Sequence, residues 1–84
     1  MIQRRIKKGL YEVIDSHKSN YRVASRERRD TKSLYTIPDS LTEKERWCIF
    51  EQSGGEWVFL DANETLVDCL GVIETWAAAS ELGL

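Results

Sequence analysis

The sequence has few of the residues from which catalytic and metal centres are built. Among its 84 residues there are one histidine, His17, and two cysteines, Cys48 and Cys69. His17 has no serine, cysteine or carboxylate at a recognisable catalytic spacing, so we expect a loop residue and not a general base. The cysteines lack the Cys-x-x-Cys spacing of zinc and redox sites. We therefore predict a protein that is not an enzyme and uses no metal or cofactor.

Long apolar runs are also missing. No stretch approaches the roughly 20 apolar residues of a membrane span. The start, "MIQRRIKKGL", is followed by "YEVIDSHK" and not by the apolar region of a secretory signal. Both cysteines lie in apolar contexts, "RWCIF" and "LVDCLGV", which favours buried thiols over the disulfide of a secreted domain. We expect a soluble, cytoplasmic protein in which both cysteines are buried thiols, with a single disulfide as the alternative.

What is present suits one small globular domain over residues 1–84. The composition is 42% hydrophobic and 31% charged, with three Trp, three Tyr and two Phe to supply large buried areas. A chain of this length buries a marginal core, and no disulfide framework or metal cluster supplements it. Oligomerisation is a common way to add burial, so we predict a homodimer.

The charges are divided unevenly along the chain. Residues 1–33 hold ten Lys and Arg against four Asp and Glu, a net charge of +6. Residues 34–84 hold two against ten, a net charge of −8. Such an asymmetry concerns surfaces and partners and does not determine the fold.

The second half of the chain contains a β-hairpin pattern and a helix pattern. In "RWCIFEQSGGEWVFLDA" two aromatic-rich runs flank a Gly-Gly pair, and a two-residue loop predicts Phe50 opposite Phe59 and Ile49 opposite Leu60. A three-residue loop would instead pair Ile49 with Phe59. Apolar residues at helical spacing follow, with Asp61 or Asn63 as the expected cap. The predicted apolar stripe comprises Leu66, Leu70, Ile73 and Ala77, widened by Val67 and Trp76.

The first half favours strands. "LYEVIDS", "YRVASRER" and "LYTIP" are rich in Tyr, Val and Ile, and polar segments separate them. The alternative for residues 2–14 is a helix with a stripe at Ile2, Ile6, Leu10, Val13 and His17. Gly9 and the β-branched pair Val13-Ile14 favour a strand for residues 10–15. Ser40 and Glu43 have the spacing of a capping box, which predicts a helical turn before the hairpin.

These patterns together predict an α+β fold. We expect an antiparallel β-meander of four to five strands with one long C-terminal helix packed on one face. In that arrangement Trp76 would be buried between the helix and the sheet, together with Leu70, Ile73, Ile49 and Phe59.

The candidate binding site lies in "NYRVASRERRDTK". If residues alternate between the faces of a strand, one face carries a ridge of cations, and Tyr21 and Val23 point to the core. The predicted binding residues are Arg22, Arg26 and Arg28 on the ridge, with Arg29 and Lys32 at the turn that follows.

Arginine binds carboxylates and phosphates alike, so the ridge allows more than one partner. We predict a small non-enzymatic binding or accessory protein that acts through contact with a protein partner or a second copy of itself. The alternative is a nucleic-acid-binding module using residues 22–32, with Arg4, Arg5, Lys7 and Lys8 extending its footprint. The sequence pI of 5.4 argues against it, since such domains typically lie above about 9. A charged edge strand that only prevents aggregation is the third interpretation.

Overall fold

A computed structural model describes residues 1–27, 35 and 37–81 and contains five antiparallel strands and a helix. The elements are β1 (Ile2–Lys7), β2 (Leu10–Ile14), β3 (Asn20–Ser25), β4 (Trp47–Ser53), β5 (Glu56–Asn63) and α1 (Leu66–Glu81). The strands lie in the sheet in their sequence order, each hydrogen-bonded to the next. The predicted α+β meander with one C-terminal helix is confirmed.

The predicted hairpin between β4 and β5 is confirmed, and of the two loop lengths that the sequence allows it has the two-residue loop. Gly54 and Gly55 have φ angles of 59° and 84°, the left-handed conformation that such a loop demands, and Phe50 lies opposite Phe59. The predicted pairing of Ile49 with Leu60 is wrong. Ile49 lies opposite Asp61, because β5 contains one more residue than β4 at this point and forms a bulge.

The segment of residues 2–14 is a second hairpin and not a helix. β1 and β2 are joined at Lys8-Gly9, where Gly9 has a φ of 78°. The strand predicted for residues 10–15 is confirmed as β2, whereas β1 was not predicted as a strand of its own. The strand predicted at "LYTIP" is wrong for the part that the structure describes: Tyr35 and the pair Ile37-Pro38 are not in a strand, and residues 34 and 36 lie outside the described residues.

The sheet has a core on each face, which we call the helix face and the opposite face. On the helix face the buried residues are Val13, Tyr21, Val23, Ile49, Cys69 and Ile73. On the opposite face they are Leu10, Ala24, Tyr35, Cys48, Phe50 and Ala62. Phe59 packs on the opposite face and not, as predicted, beneath the helix. Tyr35 stacks on Phe50 there, with ring centroids 4.4 Å apart.

The helix is capped by a residue other than those predicted, whereas its predicted stripe is confirmed in Leu66, Leu70 and Ile73, which pack on the helix-face core. Its cap is Thr65, whose hydroxyl accepts a hydrogen bond from the backbone N–H of Asp68 at 3.1 Å, and not Asp61 or Asn63. Ile73 is fully buried as predicted, but so is Cys69, and Val67 is 75% exposed. Trp76 is only half-buried and packs against Tyr21.

The helical turn predicted from Ser40 and Glu43 does not form. The described residues there adopt turns, and the Glu45 carboxylate accepts hydrogen bonds from the backbone N–H and the hydroxyl of Thr42, both at 3.0 Å. These bonds lower the pKa of Glu45. Ser40–Glu43 and Thr42–Glu45 have the same three-residue spacing, and in the described residues the capping hydrogen bonds form at Thr42–Glu45.

Both cysteines are buried, as predicted, and both are free, so the alternative of a disulfide is wrong. Burial raises the pKa of each thiol, Cys48 and Cys69, to about 11. In the part of the chain that the structure describes, no helix combines the length and apolar character needed to cross a membrane.

Candidate functional site: an open sheet edge and the groove beside it

Arg22 is held within the sheet and does not stand free of it. Its guanidinium donates to Glu12 Oε2 at 3.0 Å and to Asn20 Oδ1 at 3.1 Å. It also lies over the ring of Trp57, 4.7 Å from the centroid, at a distance typical of a cation–π contact. Only 20% of the Arg22 side chain is exposed, so the prediction of an exposed binding arginine at this position is wrong.

Arg26 serves a different part of the structure. Its Nη1 donates to the backbone carbonyls of Thr42 at 2.8 Å and Glu45 at 2.9 Å, so the side chain ties the end of β3 to the loop that precedes β4. Arg22 and Arg26 therefore have separate sets of partners and do not form a shared exposed ridge. The other predicted binding residues, Arg28, Arg29 and Lys32, lie outside the described residues.

The most accessible cationic element of the described chain is β1. It is an edge strand, paired with β2 along one side, and all six of its residues are exposed. Ile2 is 65% and Ile6 38% exposed, in a strand that otherwise contains cations and one glutamine. Pairing with β2 is regular from Ile2 to Arg5 and shifts between Arg5 and Lys7. The straight part of the edge is thus four residues long.

The two adjacent arginines of β1 lie on different faces of the sheet. Arg4 is opposite Glu12, and its Nη2 lies 3.2 Å from Glu12 Oε1. Arg5 is opposite Tyr11, which packs against the helix-face core. Directly paired residues share a face, so Arg5 points to the helix face and Arg4 to the opposite face.

An open groove of about 590 Å³ lies beside Arg5 on the helix face. Its lining residues come from β1, β2, the ends of β3 and β4, and the turns between them: Arg5, Lys8, Gly9, Tyr11, Ser25, Glu27 and Trp47. The rings of Tyr11 and Trp47 contact each other with centroids 6.1 Å apart and a tilt of 55°. Both rings are half-buried, so they present apolar surface and polar tips to the groove.

The groove is rich in hydrogen-bond donors. Among the described residues, the guanidinium of Arg5, the hydroxyl of Tyr11 and the indole N–H of Trp47 have no hydrogen-bond or ion-pair partner. Among the described lining residues, Lys8 and Glu27 carry opposite charges and Arg5 adds one positive charge. This surface suits a ligand group with one negative charge and several acceptor atoms.

His17 lies in a loop, as predicted, and contributes to structure. It follows β2, where its backbone N–H donates to Asp15 Oδ1 at 2.9 Å and its Nε2 lies 3.3 Å from the carbonyl oxygen of Ala77. The turn is thereby connected to the last part of the helix. Across residues 1–27, 35 and 37–81, no three side chains of His, Cys, Asp or Glu are grouped so as to hold a metal ion.

Sequence reasoning placed the binding site on β3 and gave β1 a secondary role. The signal for β1 was Gly9, which marks the turn of a hairpin between two short runs. The groove had no sequence signal, because Arg5 and Trp47 meet only through the register of four strands. Comparison with protein-family models, with curated proteins and with solved structures found no match to this chain.

Proposed function

We propose that this chain is a small non-enzymatic binding protein that docks an acidic, extended segment of a partner protein along β1. The observation that carries the proposal is an open sheet edge whose residues are all exposed and include isoleucines beside cations. An edge strand presents unpaired backbone N–H and C=O groups, and an added strand satisfies them.

The composition of β1 supports a foreign, acidic strand. Arg4, Arg5 and Lys7 are its only charged residues, and all are positive. Pairing β1 with β1 of a second copy would place like charges near one another, which is destabilising. If the edge served only to prevent aggregation, its charges would suffice and exposed isoleucines would not be needed. Ile2 and Ile6 are nevertheless exposed, and an added strand would cover their apolar surface.

The second candidate is single-stranded nucleic acid, and the groove is the observation that favours it. Tyr11 and Trp47 lie beside Arg5, and aromatic rings next to cations are the usual platform for unpaired bases. The overall charge of −2 and the presence of Glu27 on the rim favour the protein partner instead.

The test is a titration of the isotopically labelled protein with two synthetic peptides, followed by NMR. One peptide alternates Glu and Val, and the other has the same sequence with every backbone N–H methylated, so that the charge is equal but the second cannot donate to β1 in any register. We expect the Glu-Val peptide to bind and to shift the amide signals of β1 and β2, and the methylated peptide to bind at least about fivefold more weakly. Equal binding of both peptides, or shifts confined to other elements, would contradict strand addition.

A pair of charge-reversal variants checks the place of binding. Lys7→Glu reverses a charge on β1, and Lys44→Glu makes the same change at an exposed position in the loop before β4. We expect Lys7→Glu to weaken the Glu-Val peptide by about tenfold and Lys44→Glu to leave its affinity unchanged. Equal effects would mean that the peptide responds to net charge and not to β1.

A further inference from the structure

We infer that the groove formed by Arg5, Tyr11 and Trp47 receives one carboxylate side chain of the docked segment, from the residue that lies directly opposite Arg5. The inference rests on the proposed function and adds a rule for the sequence of the partner. An acidic residue, preferably Glu, is required at this one position, and the acidic residues elsewhere in the segment are interchangeable.

The strand register sets this position. Arg5 is directly opposite Tyr11, and Tyr11 is directly opposite Val23, so the three form a row across the helix face. A strand added on the open side of β1 extends the row by one residue. The Cβ of that residue would lie about 4.5–5.5 Å from the Cβ of Arg5, on the same face of the sheet. Its side chain is therefore placed at the mouth of the groove.

The chemistry of the groove favours a single carboxylate. The planar guanidinium of Arg5 presents paired N–H groups that match the two oxygens of a carboxylate. The Tyr11 hydroxyl on the neighbouring strand adds a donor, and among the described lining residues Arg5 and Lys8 against Glu27 leave one net positive charge. A phosphate dianion or a run of phosphodiesters would bring more negative charge than the groove offsets, with Glu27 repelling it.

The apolar part of the groove favours Glu over Asp. The Tyr11 and Trp47 rings lie inward of Arg5 along the helix face, and they give the methylene groups of a longer side chain a surface to pack on. Gly9 has no side chain to fill the groove at the turn between β1 and β2. Because neighbouring strands lie about 4.8 Å apart, a Glu side chain of the added strand reaches the Arg5 guanidinium and directs its methylenes towards Tyr11 on β2, whereas Trp47 belongs to β4, three strands further in than β1.

A double-mutant cycle tests the contact. The host peptide alternates Thr and Val and has one central Glu, and its twin has Gln at that position. We expect Arg5→Gln in the protein and Glu→Gln in the peptide each to weaken binding by about tenfold. Because both changes remove the same contact, the two together should weaken binding hardly more than either alone. The signal of the Arg5 side-chain Nε–H should shift with the Glu peptide and not with its Gln twin.

Matched variants separate the groove from general charge effects. Arg4→Gln removes the same charge from the neighbouring residue on the opposite face, so its effect should add to that of the peptide substitution and show no coupling. Thermal unfolding of Arg5→Gln checks that the exposed substitution leaves the fold intact.

Three results would overturn the inference, and they are distinguishable. If Arg4→Gln and Arg5→Gln couple equally to the peptide Glu, the groove has no special role although strand addition stands. If neither the acidic Glu-Val peptide nor the Thr-Val host with its central Glu binds, the proposed function fails and the inference fails with it. If an oligothymidine binds more tightly than the Glu peptide and Arg5→Gln abolishes that binding, the groove belongs to the nucleic-acid candidate.

Discussion

Glu12 lies between two arginines of neighbouring strands, and water surrounds the two ion pairs to different degrees. The side chain of Arg22 is 20% exposed, whereas that of Arg4 is 70% exposed. An ion pair that water can reach contributes little to stability, and a partly buried one with further hydrogen bonds contributes more. The Glu12 carboxylate therefore contributes more to stability through its ion pair with Arg22 than through its ion pair with Arg4.

We predict that Arg22→Gln lowers the free energy of unfolding by about 1–2 kcal/mol, because it removes the partly buried pair with Glu12 and the contact with Trp57. Arg4→Gln is the matched control, and we expect it to cost less than about 0.5 kcal/mol. Urea titrations of the parent and both variants give the comparison. Equal losses in the two variants would show that burial of Arg22 does not stabilise its pairing.

Cys48 and Cys69 are shielded from reagents by their burial on opposite faces of the sheet. Each has a thiol pKa raised to about 11, so the reactive thiolate is scarce near neutral pH. We predict that a disulfide reagent at about pH 8 modifies neither cysteine of the folded protein within minutes and modifies both after denaturation. Rapid modification of the folded chain would mean that one side of the sheet opens readily.

The same thiols make stability depend on alkaline pH. A thiol with a higher pKa in the folded chain contributes stability fully below its unfolded pKa of about 8.5, and this contribution is lost as the pH rises towards about 11. Burial also raises the pKa of Tyr21 and acts in the same direction. We expect the free energy of unfolding to fall between about pH 9 and 11, and to fall less steeply in a Cys48→Ala, Cys69→Ala variant. Identical slopes would exclude the thiols as the cause.

At the scale of elements, glycine has opposite effects in the hairpin loop and in the helix. Gly55 has a φ of 84°, whereas Gly71 lies inside α1 with nothing within 4 Å of an added Cβ. We predict that Gly55→Ala destabilises the protein by about 1 kcal/mol and that Gly71→Ala stabilises it by about 0.5–1 kcal/mol. Thermal unfolding of both variants provides the measurement. If Gly71→Ala lowered the melting temperature, the side of α1 that carries Gly71 would have to contact other atoms of the protein.

The elements that bury side chains were predictable from the sequence, and the element that buries none was not. The Gly-Gly loop predicted the hairpin and limited its register to two alternatives, one of which pairs Phe50 with Phe59, and the spacing of Leu66 and Ile73 predicted the helix. β1 has no apolar alternation because both of its faces are exposed. The bulge in β5 also has no local signature, since Val58, Phe59 and Leu60 are consecutive apolar residues and their pattern does not show which one is unpaired.

The candidate site was less predictable than the fold. Arg22 is paired by Glu12 and Trp57, residues that are distant in the sequence and become neighbours only through strand register. A cationic run in the sequence does not show which of its members are already paired. The groove depends on the same register, together with the course of the helix, which leaves Tyr11 and Trp47 half-covered.

At the scale of the whole molecule, the two signs of charge lie towards opposite edges of the sheet. β1 contains three cations and no acid, whereas β5 contains two acids and no cation and α1 adds further acids. In a dimer, the basic β1 edge of one copy can therefore face the acidic surface formed by β5 and α1 of the other copy.

We predict that the protein forms a homodimer at low salt, with a mass by light scattering of about twice 9.7 kDa. Raising the salt from about 0.05 to 0.5 M should weaken the dimer, because the screening length falls severalfold. The acidic Glu-Val peptide should compete with the second copy for β1. A mass of 9.7 kDa at low salt and micromolar concentration would contradict self-association.

The strand order β1-β2-β3-β4-β5 has a consequence for how fast the chain folds. Every strand pairs with the next one along the chain, so loop closure is short for all pairs except β3 with β4, which residues 26–46 separate. Sheets of this kind have a low contact order and cross their folding barrier faster than sheets built from distant strands. Stopped-flow refolding should show a main phase in about milliseconds, limited by the meeting of β3 with β4. The two hairpins can form and unfold many times before β3 pairs with β4. Because β1 pairs with β2 alone, substitutions on its open edge should have the smallest effect on the folding rate.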